Sequence, residues 1–268
     1  MPRARGDRGP YRERVTELLA VLEEYYDAAP RPHAHTEEVG PFTLFLRDDP
    51  AWWAYYGRPR LGLAEEVTAA DVRRLIARQD EVGAPRTIEW VHETTPSLLA
   101  AAREAGVEVE VCPLLVLDEP ALLEPPEGIA LELMAADSHH LGEVTAAVDA
   151  AFSDTDDTAR GDGTRSAHGI ERGLARVIGA FEIHDHGLGA AVGGGTHGPR
   201  GGVTEIVGIG VLPRARGRGI GAAVASALAA DAQRLGLGTV FLSAQDDAFA
   251  RVYERVGFRR VGSACIVG

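Results

Sequence analysis

Gly210-Val-Leu-Pro-Arg-Ala-Arg-Gly-Arg-Gly-Ile-Gly221 is the stretch on which the reading of this chain turns. The apolar run Val203 to Leu212 reads as a buried strand, and Pro213 stops its pairing because proline has no N–H to donate. Ala-rich sequence follows from Gly219 to Leu235, with Ile220, Val224, Leu228 and Leu235 at helical spacing and Gly236 as the stop. Between strand and helix stand Arg214, Arg216 and Arg218, with Gly217, Gly219 and Gly221. Glycines remove the Cβ atoms that would hold an anion at a distance. The first helical N–H groups have no intrahelical acceptor and sit at the positive end of the helix dipole. The stretch therefore predicts a phosphate or pyrophosphate site.

Two other readings of the same residues compete. Gly217, Gly219 and Ala222 satisfy the dinucleotide pattern G-x-G-x-x-A. That pattern opens its domain with the first glycine directly after the strand. Here Pro-Arg-Ala-Arg intervenes, and too little chain follows to complete a doubly wound sheet. The bland reading is a surface turn that caps a helix. No Walker A lysine pattern is present.

Working outward, the second half reads as strand Ile129–Leu133, a helix to Phe152 capped by Asp137, an acidic loop Ser153–Gly163 and a short helix to Arg172. A strand pair, Ala175–Ile183 and Leu188–Gly194, turns at Asp185-His-Gly187. After the phosphate-type loop and its helix come strand Thr239–Ser243, helix Asp247–Val256 and strand Phe258–Val267. The first half repeats part of this order: helix Val72–Gly83, strand Thr87–Val91, helix Pro96–Ala105, strand Val107–Leu117. Helix Arg12–Tyr26 and the apolar stretches Phe42–Leu46 and Trp52–Tyr56 precede it. Gly83 and Gly106 bracket a strand and a helix as Gly236 and Gly257 do, which suggests a duplicated unit. Prolines and acids between Leu117 and Gly128 break the pattern, so the expected domains are residues 1–125 and 126–268.

Arg216-Gly-Arg-Gly-Ile-Gly221 resembles the Q/R-x-x-G-x-G/A motif of the GNAT N-acetyltransferases. Asp246-(x6)-Tyr-Glu-Arg-Val-Gly-Phe258 is similar to that family's N-x-x-A-x-x-x-Y-x-x-x-G-F signature, with Asp246 in place of Asn and the alanine one position early at Ala248. The resemblance covers Val203 to Val267 and, more loosely, the whole second half. It implies an α/β fold of two GNAT-like lobes, each a mixed, mostly antiparallel sheet flanked by helices. The first lobe would be a degenerate repeat, because Gly57-Arg-Pro-Arg-Leu-Gly62 lacks the glycines of the motif and Ala102 stands where the tyrosine belongs. It also implies transfer of acetyl from acetyl-CoA to a primary amine by direct attack on the thioester. Ile209, Gly210, Val211, Arg216, Gly217, Arg218, Gly219, Ile220, Gly221 and Asp246 would bind the coenzyme. Tyr253 would protonate the leaving thiolate, and Glu205 on the strand would take the amine proton. A catalytically silent acyl-CoA sensor and a nicotinamide-dependent enzyme are the alternatives.

The net charge of −13 disfavours sequence-independent phosphate binding, so no nucleic acid partner is expected. No apolar run reaches the ~20 residues a membrane helix needs. Met1 to Pro10 carries arginines but no apolar core of a signal peptide, and reads as a tail. Cys112 and Cys265 form no CxxC pair, so a reducing, cytoplasmic setting is expected. The expected partner is a small-molecule amine, with a homodimer left open. His184 and His186, with His197 placed in a nearby loop, lack the further ligands of a zinc site, so no metal is expected. His139 and His140 are candidates for lining an acceptor pocket, and Asp154, Asp156 and Asp157 either attract a cationic acceptor or form a solvated loop.

Overall fold

The structure, a computed structural model, describes residues 9–49, 52–158 and 161–268. The arginines before Gly9, and two positions of the acidic loop, lie outside the described residues. The chain divides into two compact units: Met1–Cys112 with Val261–Gly268, and Pro113–Arg260.

The first unit begins with helix α1 (Gly9–Ala28), followed by strands β1 (Ala34–Val39), β2 (Phe42–Arg47) and β3 (Gly57–Pro59). Helix α2 (Ala69–Val82), strand β4 (Ile88–Val91), helix α3 (Ser97–Glu104) and strand β5 (Glu110–Leu117) complete the first half of the chain. β1, β2 and β3 pair antiparallel, whereas β3 and β4 run parallel and share a single paired position, Gly57↔Ile88. The core joins Phe42 and Leu44 of β2, Val72 and Leu75 of α2, Leu98 and Ala102 of α3, and Ile88 and Trp90 of β4.

The second unit contains β6 (Ile129–Leu133), α4 (Leu141–Phe152), α5 (Thr164–Glu171), β7 (Arg176–His184), β8 (Gly187–Arg200), β9 (Val203–Val211), a 3-10 turn (Pro213–Ala215), α6 (Ile220–Arg234), β10 (Thr239–Ser243) and α7 (Asp247–Glu254). The final strand is β11 (Phe258–Val267). Strands β6 to β9 form an antiparallel run, β10 lies parallel to β9, and β5 pairs antiparallel with β10. α6 packs on one face of this sheet with Ile178, Ala180, Val192 and Ile206. α4 packs on the other with Val177, Phe181 and Ala191.

The duplication inferred from glycine spacing is visible as topology. Both units run three antiparallel strands, a helix, a strand parallel to the third, and a second helix. The strand that closes each is supplied by the other half of the sequence. Val267 pairs with Ile88 in the first unit, and Leu115 pairs with Leu242 in the second. That is why the division by contacts departs from a cut near residue 125. The proline-rich segment is a connection inside the second unit, where Leu123 N–H and Ala121 O bond the Ser226 hydroxyl at 2.9 Å each.

One local expectation changes, and the structure defines stretches to which the sequence assigned no element. α4 starts at Leu141, after turns at Ser138 and His140, so Asp137 is not its cap. β1, of sequence AHTEEV, and the three-residue β3 carry no strand signal of their own and are strands because β2 pairs with both. Trp52–Tyr56 is not a strand: the Trp52 ring stacks on His33 at 3.7 Å and its Nε1 donates to the Tyr55 hydroxyl at 2.7 Å.

Candidate active site

β9 and β10 part company early. Their register runs Val203↔Thr239, Thr204↔Val240 and Glu205↔Phe241, while β9 continues to Val211. On its other edge β9 stays paired with β8 up to Val211↔Gly193. The ladder slips between Thr196↔Val207 and Gly194↔Gly210, so β9 carries one extra residue there. Gly208, with φ +63°, absorbs the bulge in a backbone region that L side chains avoid. The bulge inverts the faces of the strand. Ile206 packs toward α6 before it, and Ile209 and Val211 do so after it, with methyls 3.8 Å from where a Cβ on Gly221 would stand. Gly210 is thereby turned to α4, where a Cβ would meet Ala151 Cβ at 3.1 Å and the Val148 backbone at 3.2 Å. Leu212 N–H donates to Val192 O on β8 at 2.9 Å. By alternation, the Val211 and Ile209 amides point to the edge that β10 has left.

The loop after β9 turns through Pro213–Ala215, with Ala215 anchored in the core at 1% exposure. Gly217 and Gly219 have φ +77° and +88°, and a Cβ on either would meet nothing within 4 Å. Gly219 is the N-cap of α6 and offers no side-chain cap. The first intrahelical bond of the turn runs from Ala223 N–H to Gly219 O. The Ile220, Gly221 and Ala222 amides thus have no acceptor among the described residues and stand at the positive end of a 15-residue helix.

Arg216 faces the protein. Its Nε donates to Val211 O at 3.0 Å, Nη2 to Ala151 O at 2.8 Å and Nη1 to Asp154 at 2.6 Å. It braces the loop against the end of α4 and the end of β9. Arg218 is exposed, with one bond to Glu127 O at 3.2 Å. The acidic loop after α4 is not merely solvated: Asp154 takes Arg216, and Asp156 Oδ1 accepts from the Arg214 amide at 3.2 Å.

Asp246 caps α7, accepting from the Ala248 and Phe249 amides at 2.7 and 2.9 Å. This fixes the helix that carries Tyr253. The Tyr253 ring lies edge-on to Phe258 at 6.4 Å against the α6 core, and burial pushes its phenol up to about 12. It therefore stays protonated at neutral pH and can donate. Glu205 sits at the last position paired with β10, on the face opposite Thr204 and Ile206.

A network the sequence did not announce pins β9 to α6. His197, fully buried on β8 and not in a loop, joins Thr204 Oγ1 at 2.9 Å through Nδ1 and Asp231 Oδ2 at 3.0 Å through Nε2. Arg176 forks onto the same carboxylate at 2.9 and 3.0 Å. Burial lowers the His197 pKa, partly opposed by Asp231. Burial would raise Asp231, but hydrogen bonds from Arg176 and His197 hold it below the usual carboxylate range. His140 stands at the start of α4, its ring 5.3 Å from that of Phe181. No set of three or more His, Cys, Asp or Glu that could hold a metal occurs among the described residues. No helix among them is long and apolar enough to cross a membrane.

The first unit closes the corresponding helix start. Thr68 caps α2 by accepting from Asp71 N–H at 3.3 Å, and Asp71 accepts from Thr68 N–H at 3.1 Å. A carboxylate thus stands where the second unit leaves open amides. Arg58 lies in β3, 1% exposed and paired with Glu23, and is no loop cation.

Residues 144–258 match the acetyltransferase (GNAT) family model. Among curated proteins no sequence matches. A GCN5-related N-acetyltransferase from Kribbella flavida superposes with TM-score 0.71 at 22% identity, covering 93% of this chain and 95% of that one. One from Sphaerobacter thermophilus gives 0.55 at 22% identity, over 74% of this chain and 64% of that one. A tandem GNAT protein from the clavulanic acid biosynthesis pathway gives 0.51 at 15% identity, over 84% and 77%. At such identities these likenesses speak to fold. The splayed strands, the bulge and the uncapped loop all lie within residues 144–258, the stretch that matches the GNAT acetyltransferase family model.

Proposed function

We propose that the second unit transfers acetyl from acetyl-CoA to a primary amine of a small molecule. One observation carries the reading: β9 runs past its last pair with β10 at Glu205 and delivers free amides, then an uncapped helix start, along one continuous path. The amides from Gly217 to Gly221 fit a pyrophosphate, with Arg218 adding charge at the rim. Ile209 and Val211 fit the amide-bearing arm of the coenzyme and its thioester carbonyl, because strand amides pair with extended amide chains and can stabilise an oxyanion. The thioester supplies the acyl group and a good leaving group.

Glu205 is the base of this scheme. It accepts the amine proton, directly or through water, so that a neutral nitrogen attacks. Tyr253 gives its phenolic proton to the departing sulfur. Asp246 positions Tyr253 by fixing α7, and Arg216 positions the amide cradle. The acidic chain suits a cationic acceptor, with nucleic acid and membrane not among its partners, and the two cysteines outside any CxxC pair suit a reducing, cytoplasmic setting.

Calorimetric titration with acetyl-CoA, followed by thiol-release assays over a library of primary amines, tests the reading. Binding together with amine-dependent thiol release is the expected result. Binding with no release from any amine would favour a silent acyl-CoA sensor, and stabilisation by NAD but not acetyl-CoA would overturn the family-based reading of the loop.

A further inference from the structure

The first unit has its own opening between parallel strands, since β3 and β4 share one paired position only. Beside it lies a cavity of about 740 Å³, within the usual size of small-ligand sites. One wall is α1, with Val15, Leu19 and Glu24; another is the β3–α2 loop, with Leu61 and Leu63; Glu93 and Thr94 close it. The Thr68–Asp71 cap at the start of α2 argues against a pyrophosphate in this unit.

Among the described residues, the charges around the cavity do not cancel. Glu23 is spent internally: it accepts from Thr94 Oγ1 at 2.6 Å and pairs with buried Arg58. Arg60, the one cation among the described lining residues, is held by Glu65 at 2.8 Å and Glu38 at 3.7 Å. Glu93 accepts a backbone N–H from Ser263 at 2.9 Å and makes no ion pair among the described residues. Glu24 is exposed and makes no ion pair among the described residues. Two carboxylates with no ion-pair partner among the described residues, Glu24 and Glu93, therefore border a cavity with leucine and valine walls. A cation meets favourable potential there, and an anion meets repulsion. The walls add a reason for the ligand to carry hydrocarbon.

We propose that this cavity binds an organic cation with an apolar body, an alkylammonium-type ligand, as a site separate from the acetyl-transfer centre. Nothing in the proposal depends on turnover by the second unit.

Calorimetry on the full chain with n-octylammonium chloride tests it, with sodium octanoate as the anionic match and n-butylammonium as the short one. The expected result is one saturable amine site, at least tenfold weaker for octanoate and for butylammonium. Glu24→Gln and Leu61→Arg change exposed residues and should each weaken octylammonium at least fivefold, with circular dichroism unchanged. Glu205→Gln, in the other unit, should leave it unchanged. Equal binding of octanoate would overturn the assignment of charge. Binding lost in Glu205→Gln but kept in Glu24→Gln and Leu61→Arg would place the amine in the second unit and overturn the site. Absence of saturable binding would overturn the whole proposal.

Discussion

Arg216 Nη1 and Asp154 Oδ1 meet at 2.6 Å across sixty-two residues of sequence. The pair ties the loop after β9 to the acidic segment after α4, and it sets a carboxylate beside the proposed anion site. Both partners are largely exposed, so the pair contributes ~0–1 kcal/mol to stability. Asp154→Asn should leave the unfolding midpoint nearly unchanged, because Val211 O and Ala151 O still hold the guanidinium. Acetyl-CoA should bind about two- to fivefold tighter, roughly 0.4–1 kcal/mol. Weaker binding by calorimetry would mean that the carboxylate serves to orient the loop rather than to oppose the phosphates.

At Gly219 charge and backbone strain can be separated. A side chain at φ +88° is strained whatever its chemistry, by about 1–2 kcal/mol for most L residues and less for Asn. Gly219→Glu should lower acetyl-CoA affinity at least ~tenfold. Gly219→Asn should lose much less. Equal losses in the two variants would indicate that strain, and not an anion at this helix start, explains the effect.

Tyr253→Phe removes the proposed acid and keeps the ring that packs on Phe258. Turnover should fall by ~10²–10⁴, with the dissociation constant of acetyl-CoA within about threefold of wild type, about 0.7 kcal/mol. Since the phenol is pushed up to about 12, its donating form exists below that pH and is lost only as pH rises through it. The wild-type rate should therefore show no alkaline decline due to Tyr253 between pH 7 and 10. A pH-rate profile in which Tyr253→Phe abolishes a decline in that range would contradict the placement of the residue.

His197 supplies a pH dependence of stability. Its folded pKa is depressed, so the folded protein binds fewer protons than the unfolded chain. The stabilisation is present above the unfolded value of ~6.5 and is lost as pH falls toward the folded value. Thermal midpoints should drop as pH falls from 7 to 5. His197→Gln should flatten that drop and lower the midpoint at pH 7, because Asp231 and Thr204 lose a buried partner. An unchanged slope in the variant would assign the acid sensitivity elsewhere.

One acyl-CoA per chain is expected. The Thr68–Asp71 box fills the helix start in the first unit, and no tyrosine stands at Ala102 in α3. A calorimetric stoichiometry of two, reduced to one by changes at Arg58 and Arg60, would show a working first unit.

The sequence by itself determined the loop. Pro213, Gly217 and Gly219 act through their own φ preferences, and the helix period of α6 through its own apolar spacing, so both were legible without any distant contact. The helix that carries Tyr253 was legible for the same reason, because Asp246 and Gly257 punctuate α7 locally, whereas the role given to Tyr253 came from the family resemblance. What tertiary structure decided is everything that depends on a partner far along the chain. The polar strand β1 exists through β2, and Val261–Gly268 closes the first unit through β4. The free amides of β9 exist because the β10 register stops at Glu205 and a bulge falls at Gly208. The role of Arg216 was fixed by Ala151 and Asp154, and that of His197 by Asp231. Such bonds close long loops, and their energy comes from burial and geometry that no local window of sequence contains.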